Sequence, residues 1–220
     1  GSSCIYPKFC KQPMKESYLL SGKLEETNDA YAIAKIAGIT MCYNYSLKYK
    51  LNYQSLMPPN LFGPGDNYDL KNSHFFPALL KKVYLAKIKR KKILNVWGTG
   101  KPKREFLWSK DMADACVFIM ENRDFGDTYD KEQKEIRNTH INIGTGTDVS
   151  IAQLAELIKD QIGFKGSFVF NTTKPDGTMK KLTDVTKLNS MGWKHSVELE
   201  DGIQRLYKWY FNSQEDKRSD

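Results

Sequence analysis

Short apolar segments alternate with longer amphipathic segments along the chain, and this alternation limits the folds open to it. The short segments are bounded by glycine, proline and other turn residues, as buried strands are, whereas the long ones repeat apolar residues at helical spacing. Strands that alternate with helices predict an α/β fold around a parallel sheet. The predicted helices are 31–49, 73–86, 109–122, 150–162 and 197–212, with N-caps at Thr27 or Asn28, Ser73, Ser109 and Ser150. The predicted strands are 51–57, 94–97, 104–108, 140–143 and one near Phe168, with loops at 58–65 and 123–137.

Composition excludes several classes of protein. The chain has 220 residues, 40% of them hydrophobic, which is enough to bury a core in one large domain or two coupled lobes. No stretch approaches the ~20 apolar residues that span a bilayer, and no signal segment opens the chain, so we expect a cytoplasmic protein without a membrane partner. The four cysteines, at positions 4, 10, 42 and 116, lack C-x-x-C spacing, so we expect neither a metal site nor disulfides.

The formal net charge of +8 is concentrated in part at 87–92, where five of six residues are basic. A solvated helix end, steering of a diphosphate substrate and nucleic-acid binding could each explain such a run. Nucleic-acid surfaces interleave aromatic residues for stacking, and only Tyr84 lies nearby. We therefore favour the solvated helix end and expect no nucleic-acid partner.

Tyr31 and Lys35 are four residues apart inside a predicted helix, so they lie on one helical face. An ammonium beside a phenol favours the phenolate, which suits a tyrosine for proton transfer. Such a pair is also common as a plain surface contact. The preceding segment, 1–7, predicts the end of a buried strand, where Ser2 could hydrogen-bond a reacting oxygen beside the Tyr31 hydroxyl.

Seven segments carry a resemblance that covers essentially the whole chain. They are GSSCIYPK, TNDAYAIAKIAGI, MPPNLFGPGDN, NSHFFPALL, VWGTGKPKREFLW, HINIGTGTDVSI and KPDGTMKKLTDVTKL. In this order they resemble the extended short-chain dehydrogenase/reductase family, and within it the epimerase-reductases of GDP-4-keto-6-deoxy-D-mannose. The resemblance implies a Rossmann-like, doubly wound parallel sheet with a smaller C-terminal α/β lobe for the sugar nucleotide.

The glycine-rich turn that holds the cofactor pyrophosphate in this family has no counterpart in the chain. We therefore expect the N-terminal part of the cofactor domain to be absent, with 1–62 as its remainder and 63–220 as mainly the substrate lobe. Residues 142–147, Asn-Ile-Gly-Thr-Gly-Thr, lack the third glycine and match the family's sugar-binding half, so they are not expected to replace that turn.

The resemblance implies a two-step reaction and assigns residues to it. Cys4 and His74 match the acid/base pair that inverts C3 and C5 of the 4-keto sugar, although a lone cysteine or histidine is more often structural. Ser2, Tyr31 and Lys35 match the triad for reduction of the 4-keto group by NADPH. The residues implied in NADP(H) binding are Gly1, Ser2, Ser3, Tyr31, Lys35, Pro58, Asn60, Leu61 and His74.

Four further residues match the family's substrate ligands: Lys82, Trp97, Arg104 and Asp176. Lys82 stands where the family has arginine and keeps the charge without the planar fork. Trp97 could instead be a core aromatic, and Asp176 could instead form a turn. The resemblance also implies a homodimer through the helix of Tyr31. Another nucleotide-sugar epimerase or dehydratase, and a fragment that binds sugar nucleotides without catalysis, remain alternatives.

Overall fold

The computed structural model describes residues 1–132 and 134–216. They form two compact units, each assembled from separate stretches of chain. The first unit contains 1–61, 105–148 and 180–196, and the second contains 62–104, 149–179 and the described residues from 197.

Six helices and nine short strands alternate in the described chain. The helices are α1 (Asp29–Tyr49), α2 (Phe75–Ile88), α3 (Ser109–Asn122), α4 (Ile151–Ile162), α5 (Thr186–Ser190) and α6 (Leu199–Asp216). The strands are β1 (Leu56–Met57), β2 (Asn60–Phe62), β3 (Ile93–Trp97), β4 (Lys103–Arg104), β5 (Phe106–Trp108), β6 (Ile141–Asn142), β7 (Val149–Ser150), β8 (Ser167–Asn171) and β9 (Lys180–Lys181). No helix in these ranges is long and apolar enough to cross a bilayer.

Parallel pairing joins strands that are distant in sequence. In the first unit β1 pairs with β6, with Leu56 opposite Ile141. In the second, β3 pairs with β8 from Ile93 opposite Ser167 to Trp97 opposite Asn171. Strands β4 and β7 pair antiparallel. The predicted α/β fold with parallel strands is therefore confirmed.

Each unit buries its own apolar residues. In the first unit α1 turns Ala32, Ile36 and Ile39 inward, and two clusters form its core. These clusters contain Leu107, Ala115, Ile119, Ile141, Ile143, Leu188, Met191 and Trp193, and Ile5, Tyr6, Met14, Ile36, Ile39 and Met57. In the second unit α4 packs against α2 and α6, burying Leu154, Ala155, Ile158 and Ile162 on one face.

Several predicted boundaries were wrong because tertiary contacts decide them. Residues 51–55 are not strand, residues 60–62 are strand rather than loop, and 104–108 breaks at Glu105, whose side chain is fully buried. Residues 3–5 form a 3-10 helix instead of a strand end. The five-residue helix α5 was too short to predict from periodicity.

Among the predicted N-cap residues, Ser150 alone makes the side-chain hydrogen bond that caps its helix. Ser150 accepts from the backbone N–H of Gln153, whose side chain accepts in return from Ser150. The residues before α1, α2 and α3 make no such bond. The predicted loop 123–137 contains a 3-10 helix, Phe125–Asp127, which buries Phe125.

Candidate active site

The 3-10 helix Ser3–Ile5 places the predicted serine and cysteine in one tight turn. Ser2 caps it, because its Oγ accepts a hydrogen bond from the backbone N–H of Cys4 at 3.2 Å. The backbone N–H of Ser3 donates to the carbonyl of Pro58 at 3.0 Å, directly after β1. Ser2, Cys4 and Pro58 are therefore brought together at the end of a parallel strand, where α/β folds place ligands.

Gly1 lies against the same strand, and Asn60 and Leu61 begin the next strand, β2. A Cβ on Gly1 would lie 2.7 Å from the carbonyl oxygen of Leu56, so no side chain fits there. The side-chain amide of Asn60 donates to the carbonyl of Glu105 at 2.9 Å, while Leu61 is exposed. The predicted nicotinamide-lining residues thus follow β1 along the chain, and Asn60 is fixed by a hydrogen bond within the chain itself.

Tyr31 and Lys35 lie on one face of α1, as their spacing predicts. The Lys35 ammonium nitrogen is 5.3 Å from the centroid of the Tyr31 ring, and the tyrosine is 46% exposed. The buried residues Ala32 and Ile36 hold the opposite side of the helix in the core. Both polar side chains are therefore oriented by packing and accessible to a ligand.

A contact that sequence reasoning missed lies at the Cys4 sulfur. Lys181, in β9, donates a hydrogen bond from Nζ to Cys4 Sγ at 3.5 Å. The following residue is fixed by two hydrogen bonds: the backbone N–H of Leu182 donates to Gln12 Oε1 at 2.9 Å, and its carbonyl accepts from Met14 at 2.7 Å. No local pattern distinguishes Lys181, because the contact joins residues 177 positions apart.

Glu105 is the second residue that sequence reasoning missed. Its Oε1 accepts from the backbone N–H groups of Thr145 and Gly146 at 2.7 and 2.8 Å. Its Oε2 accepts from the backbone N–H and hydroxyl of Thr183 at 2.8 and 2.6 Å. Burial raises the pKa of this carboxyl, against the opposing effect of the hydrogen bonds. Glu105 thus fixes the turn after β6 and the chain after β9, which carries Lys181.

In the segment 142–147, backbone N–H groups therefore donate to the carboxylate of Glu105, an anion within the protein itself. A Cβ on Gly144 would lie 2.3 Å from Glu105 Oε1, so glycine is needed for the carboxylate to approach. This use of the turn agrees with the expectation that it does not replace a cofactor loop.

The second unit contains the predicted acid/base residue His74 and the predicted substrate ligands. His74 is exposed immediately before α2, whose first turn buries Phe76 and Pro77. Trp97 is 69% exposed at the end of β3, so the alternative that it is a core aromatic was wrong. The ammonium of Lys82 lies 5.7 Å from the Trp97 ring centroid.

Asp176 and Arg104 take part in holding the loop between β8 and β9. Asp176 accepts from the backbone N–H and hydroxyl of Thr99 at 2.9 and 2.6 Å, and these bonds lower the pKa of its carboxyl. Arg104 Nη1 donates to the carbonyl of Thr178 at 2.6 Å. Asp176 therefore stabilises this turn, as one of the two sequence-based alternatives predicted, and its role as a substrate ligand stays a prediction.

Residues 1–144 match the NAD dependent epimerase/dehydratase family. The chain belongs to this family. It is 48% identical to the GDP-L-fucose synthase of Escherichia coli (strain K12) over 98% of this chain and 66% of that protein. It is also 48% identical to GDP-L-fucose synthase 1 of Arabidopsis thaliana, over 97% of this chain and 62% of that protein. The chain thus spans less than two thirds of the length of these curated relatives.

A solved structure agrees with this assignment. MlghC, a GDP-mannoheptose C4 reductase from Campylobacter jejuni with NADP bound, is 41% identical, with a TM-score of 0.86 over 96% of this chain and 68% of that chain. The predicted membership of the extended short-chain dehydrogenases/reductases is confirmed.

Within this epimerase/dehydratase chain, the predicted residues fall into two groups. The first unit brings Ser2, Cys4 and Pro58 together, and pairs Tyr31 with Lys35. The second unit brings Lys82 to Trp97, with the Asp176 loop beside the turn that follows Trp97. Across residues 1–132 and 134–216, no group of three or more His, Cys, Asp or Glu side chains could hold a metal ion.

Proposed function

We propose that this chain carries the catalytic and sugar-nucleotide-binding residues of an enzyme that converts GDP-4-keto-6-deoxy-D-mannose to GDP-L-fucose. The reaction would proceed by 3,5-epimerisation followed by NADPH-dependent reduction at C4. The observation that carries the proposal is the Ser2–Cys4 turn with Lys181 at the sulfur, in the same unit as the Tyr31–Lys35 pair. The 48% identity to proteins named GDP-L-fucose synthase supports it.

Epimerisation needs one group to remove a proton from carbon and another to return one to the opposite face. The 4-keto group acidifies C3–H and C5–H, because the carbanion left by deprotonation is delocalised onto the carbonyl oxygen. A thiol and an imidazole can both exchange protons near neutral pH, so Cys4 and His74 suit these roles. Lys181 would hold the Cys4 sulfur in place while it does so.

Reduction needs a proton donor at the C4 oxygen. NADPH, when bound, supplies the hydride for C4. Tyr31 would donate its phenolic proton to that oxygen, and Ser2 would hydrogen-bond the same oxygen. Lys35 would support the phenolate and bind the ribose hydroxyls at the nicotinamide end. The accessible Tyr31 and Leu61 and the fixed Asn60 fit that end of the cofactor.

Epimerisation can be tested on this chain without cofactor. Incubation with the 4-keto sugar nucleotide in deuterium oxide should exchange the hydrogens at C3 and C5, measured by NMR. Cys4→Ser and His74→Asn should each reduce the exchange, whereas Tyr31→Phe should retain it. Exchange that survives both substitutions would contradict the acid/base assignment.

Reduction is tested in the protein completed with a cofactor-binding segment, by following NADPH absorbance. Tyr31→Phe should lower the rate about 100-fold or more, because it removes the proton donor. An unchanged rate would show that the triad is misassigned.

A C4 reductase that does not epimerise is the second candidate, favoured by the 41% identity to a protein named GDP-mannoheptose C4 reductase. Such an enzyme would reduce its substrate with Cys4 and His74 both replaced and would not exchange C3 and C5 hydrogens. Binding of GDP without exchange or reduction would instead indicate a sugar-nucleotide-binding fragment.

We also propose a homodimer in the cytoplasm. Helix α1 exposes Ile33 and Met41 at 57% and 63%, together with Tyr45 and Tyr49, which a partner subunit could cover. Sedimentation analysis of the wild type and Ile33→Glu tests this, since a charged residue in the contact should shift the protein to monomer. Identical sedimentation would argue against this face.

A further inference from the structure

Two ammonium groups lie near the Trp97 ring in the second unit. The Lys82 ammonium is 5.7 Å from its ring centroid, and the ammonium of Lys174 is 5.5 Å from the same centroid. The indole is 69% exposed, so a ligand can reach it. Neither ammonium forms a salt bridge with a carboxylate among the described residues. Two like charges near one ring repel each other, and an anion between them would relieve that repulsion.

The loop that carries Lys174 is fixed by bonds that do not use the lysine side chain. Asp176 accepts two hydrogen bonds from Thr99, and Arg104 donates to the carbonyl of Thr178. The backbone N–H of Lys174 donates to the carbonyl of Asn171 at 3.3 Å. Its ammonium is therefore held near Trp97 and remains available to a ligand.

We propose that Lys174 is a diphosphate ligand and that Lys82 and Lys174 together form a two-ammonium clamp beside Trp97 for a nucleoside diphosphate. This inference rests on the proposed function, because the ligand would be the GDP part of the substrate. Lysine binds phosphate as a point charge and lacks the bidentate geometry of arginine. Lys82 lies in α2 and Lys174 lies in the β8–β9 loop. Their two charges would orient the diphosphate, as the bidentate contact of a single arginine does.

The clamp would compensate for the lysine at position 82, where the family has arginine. Lys82 alone would leave the diphosphate less oriented than an arginine would. The ammonium groups of Lys82 and Lys174 both lie within 6 Å of the Trp97 ring centroid, at 5.7 and 5.5 Å. Each sits on a flexible four-carbon stem, so in the proposed clamp each ammonium reaches a different phosphate of one diphosphate group.

Calorimetric titration of the full chain tests the inference with three ligands: GDP, UDP and guanosine. Lys174→Met should weaken GDP binding about tenfold, because it removes one charge-assisted contact to phosphate. Guanosine, which lacks phosphate, should bind wild type and variant equally. The matched control is Lys165→Met, which removes an exposed lysine from the loop between α4 and β8. It should leave GDP affinity unchanged.

The outcomes separate this inference from the proposed function. Lys174→Met that binds GDP as wild type does, or loses guanosine equally, overturns the clamp. Loss of GDP affinity in Lys165→Met to the same extent would assign the effect to net charge and also overturn it. Binding of UDP but not GDP, still weakened by Lys174→Met, supports the clamp and overturns the fucose-synthase proposal. A wild-type chain that binds neither nucleotide overturns both.

Discussion

Mild acid should destabilise this protein because His140 is buried in its neutral form. The side chain is 1% exposed, its Nε2 has no hydrogen-bond partner, and Lys187 donates to its backbone carbonyl at 2.8 Å. Burial, with the positive Lys187 nearby, lowers the pKa of His140 to about 4. In the unfolded chain the imidazole takes up its proton near pH 6.5.

The sign and size of the effect follow from these two values. Between pH 6.5 and about 4 the unfolded state binds a proton that the folded state does not, so stability falls as the pH falls. The full difference corresponds to about 3 kcal/mol of unfolding free energy, most of it lost by about pH 4.5. With a urea dependence of about 2 kcal/mol per M, the midpoint should fall by about 1 M.

The assay is urea unfolding of wild type and His140→Phe at neutral pH and near pH 4.5. The variant cannot take up the proton, so its midpoint should fall by about 1 M less than that of wild type. His74→Asn is the matched control, because that histidine is exposed. Equal pH dependence in wild type and His140→Phe would refute the reasoning. NMR titration of wild type provides a second measurement, in which the His140 ring should stay neutral to about pH 4.

Three further predictions follow from single contacts. Glu105→Gln should lower the unfolding free energy by about 2 kcal/mol. Both carboxylate oxygens accept hydrogen bonds, so the amide NH₂ group of glutamine would face a donor in place of one of them. Unchanged urea stability would contradict this. Ser150→Ala should cost about 1 kcal/mol through loss of the α4 cap, and an equal urea midpoint would argue against it. Lys181→Met should slow iodoacetamide labelling of Cys4, measured by peptide mass spectrometry, because it removes the ammonium that donates a hydrogen bond to the sulfur at 3.5 Å; labelling at the wild-type rate would contradict this. Lys180→Met, whose lysine pairs with Asp148 at 3.3 Å, is the control and should label as wild type.

Local sequence predicted the features that depend on near neighbours. The shared face of Tyr31 and Lys35 follows from helical spacing, and the Ser150 cap follows from a serine at the start of a helical segment. The parallel α/β arrangement follows from the alternation of strands and helices. Each of these is decided by residues within about one helical turn or by the order of elements, which the sequence states directly.

Contacts between distant segments could not be predicted from local sequence patterns. The approach of Lys181 to Cys4 depends on Gln12 and Met14, which hold the chain after β9. The bonds from Thr99 to Asp176 close a turn against a loop 77 residues away. No spacing rule links such positions, so the sequence could suggest Asp176 as a ligand or a turn former but could not choose between them.

Glu105 shows how a glycine motif can be misread when its partner is unknown. Glycines followed by free backbone N–H groups suggest a site for phosphate, and Gly144-Thr145-Gly146 has that form. In the fold the anion is the carboxylate of Glu105, and a side chain on Gly144 would collide with it. Because the N–H groups of Thr145 and Gly146 already donate to Glu105, they are not available to an external phosphate. A bound diphosphate therefore needs charge from elsewhere, and the ammonium groups of Lys82 and Lys174, which pair with no carboxylate among the described residues, are the ones that we propose for it.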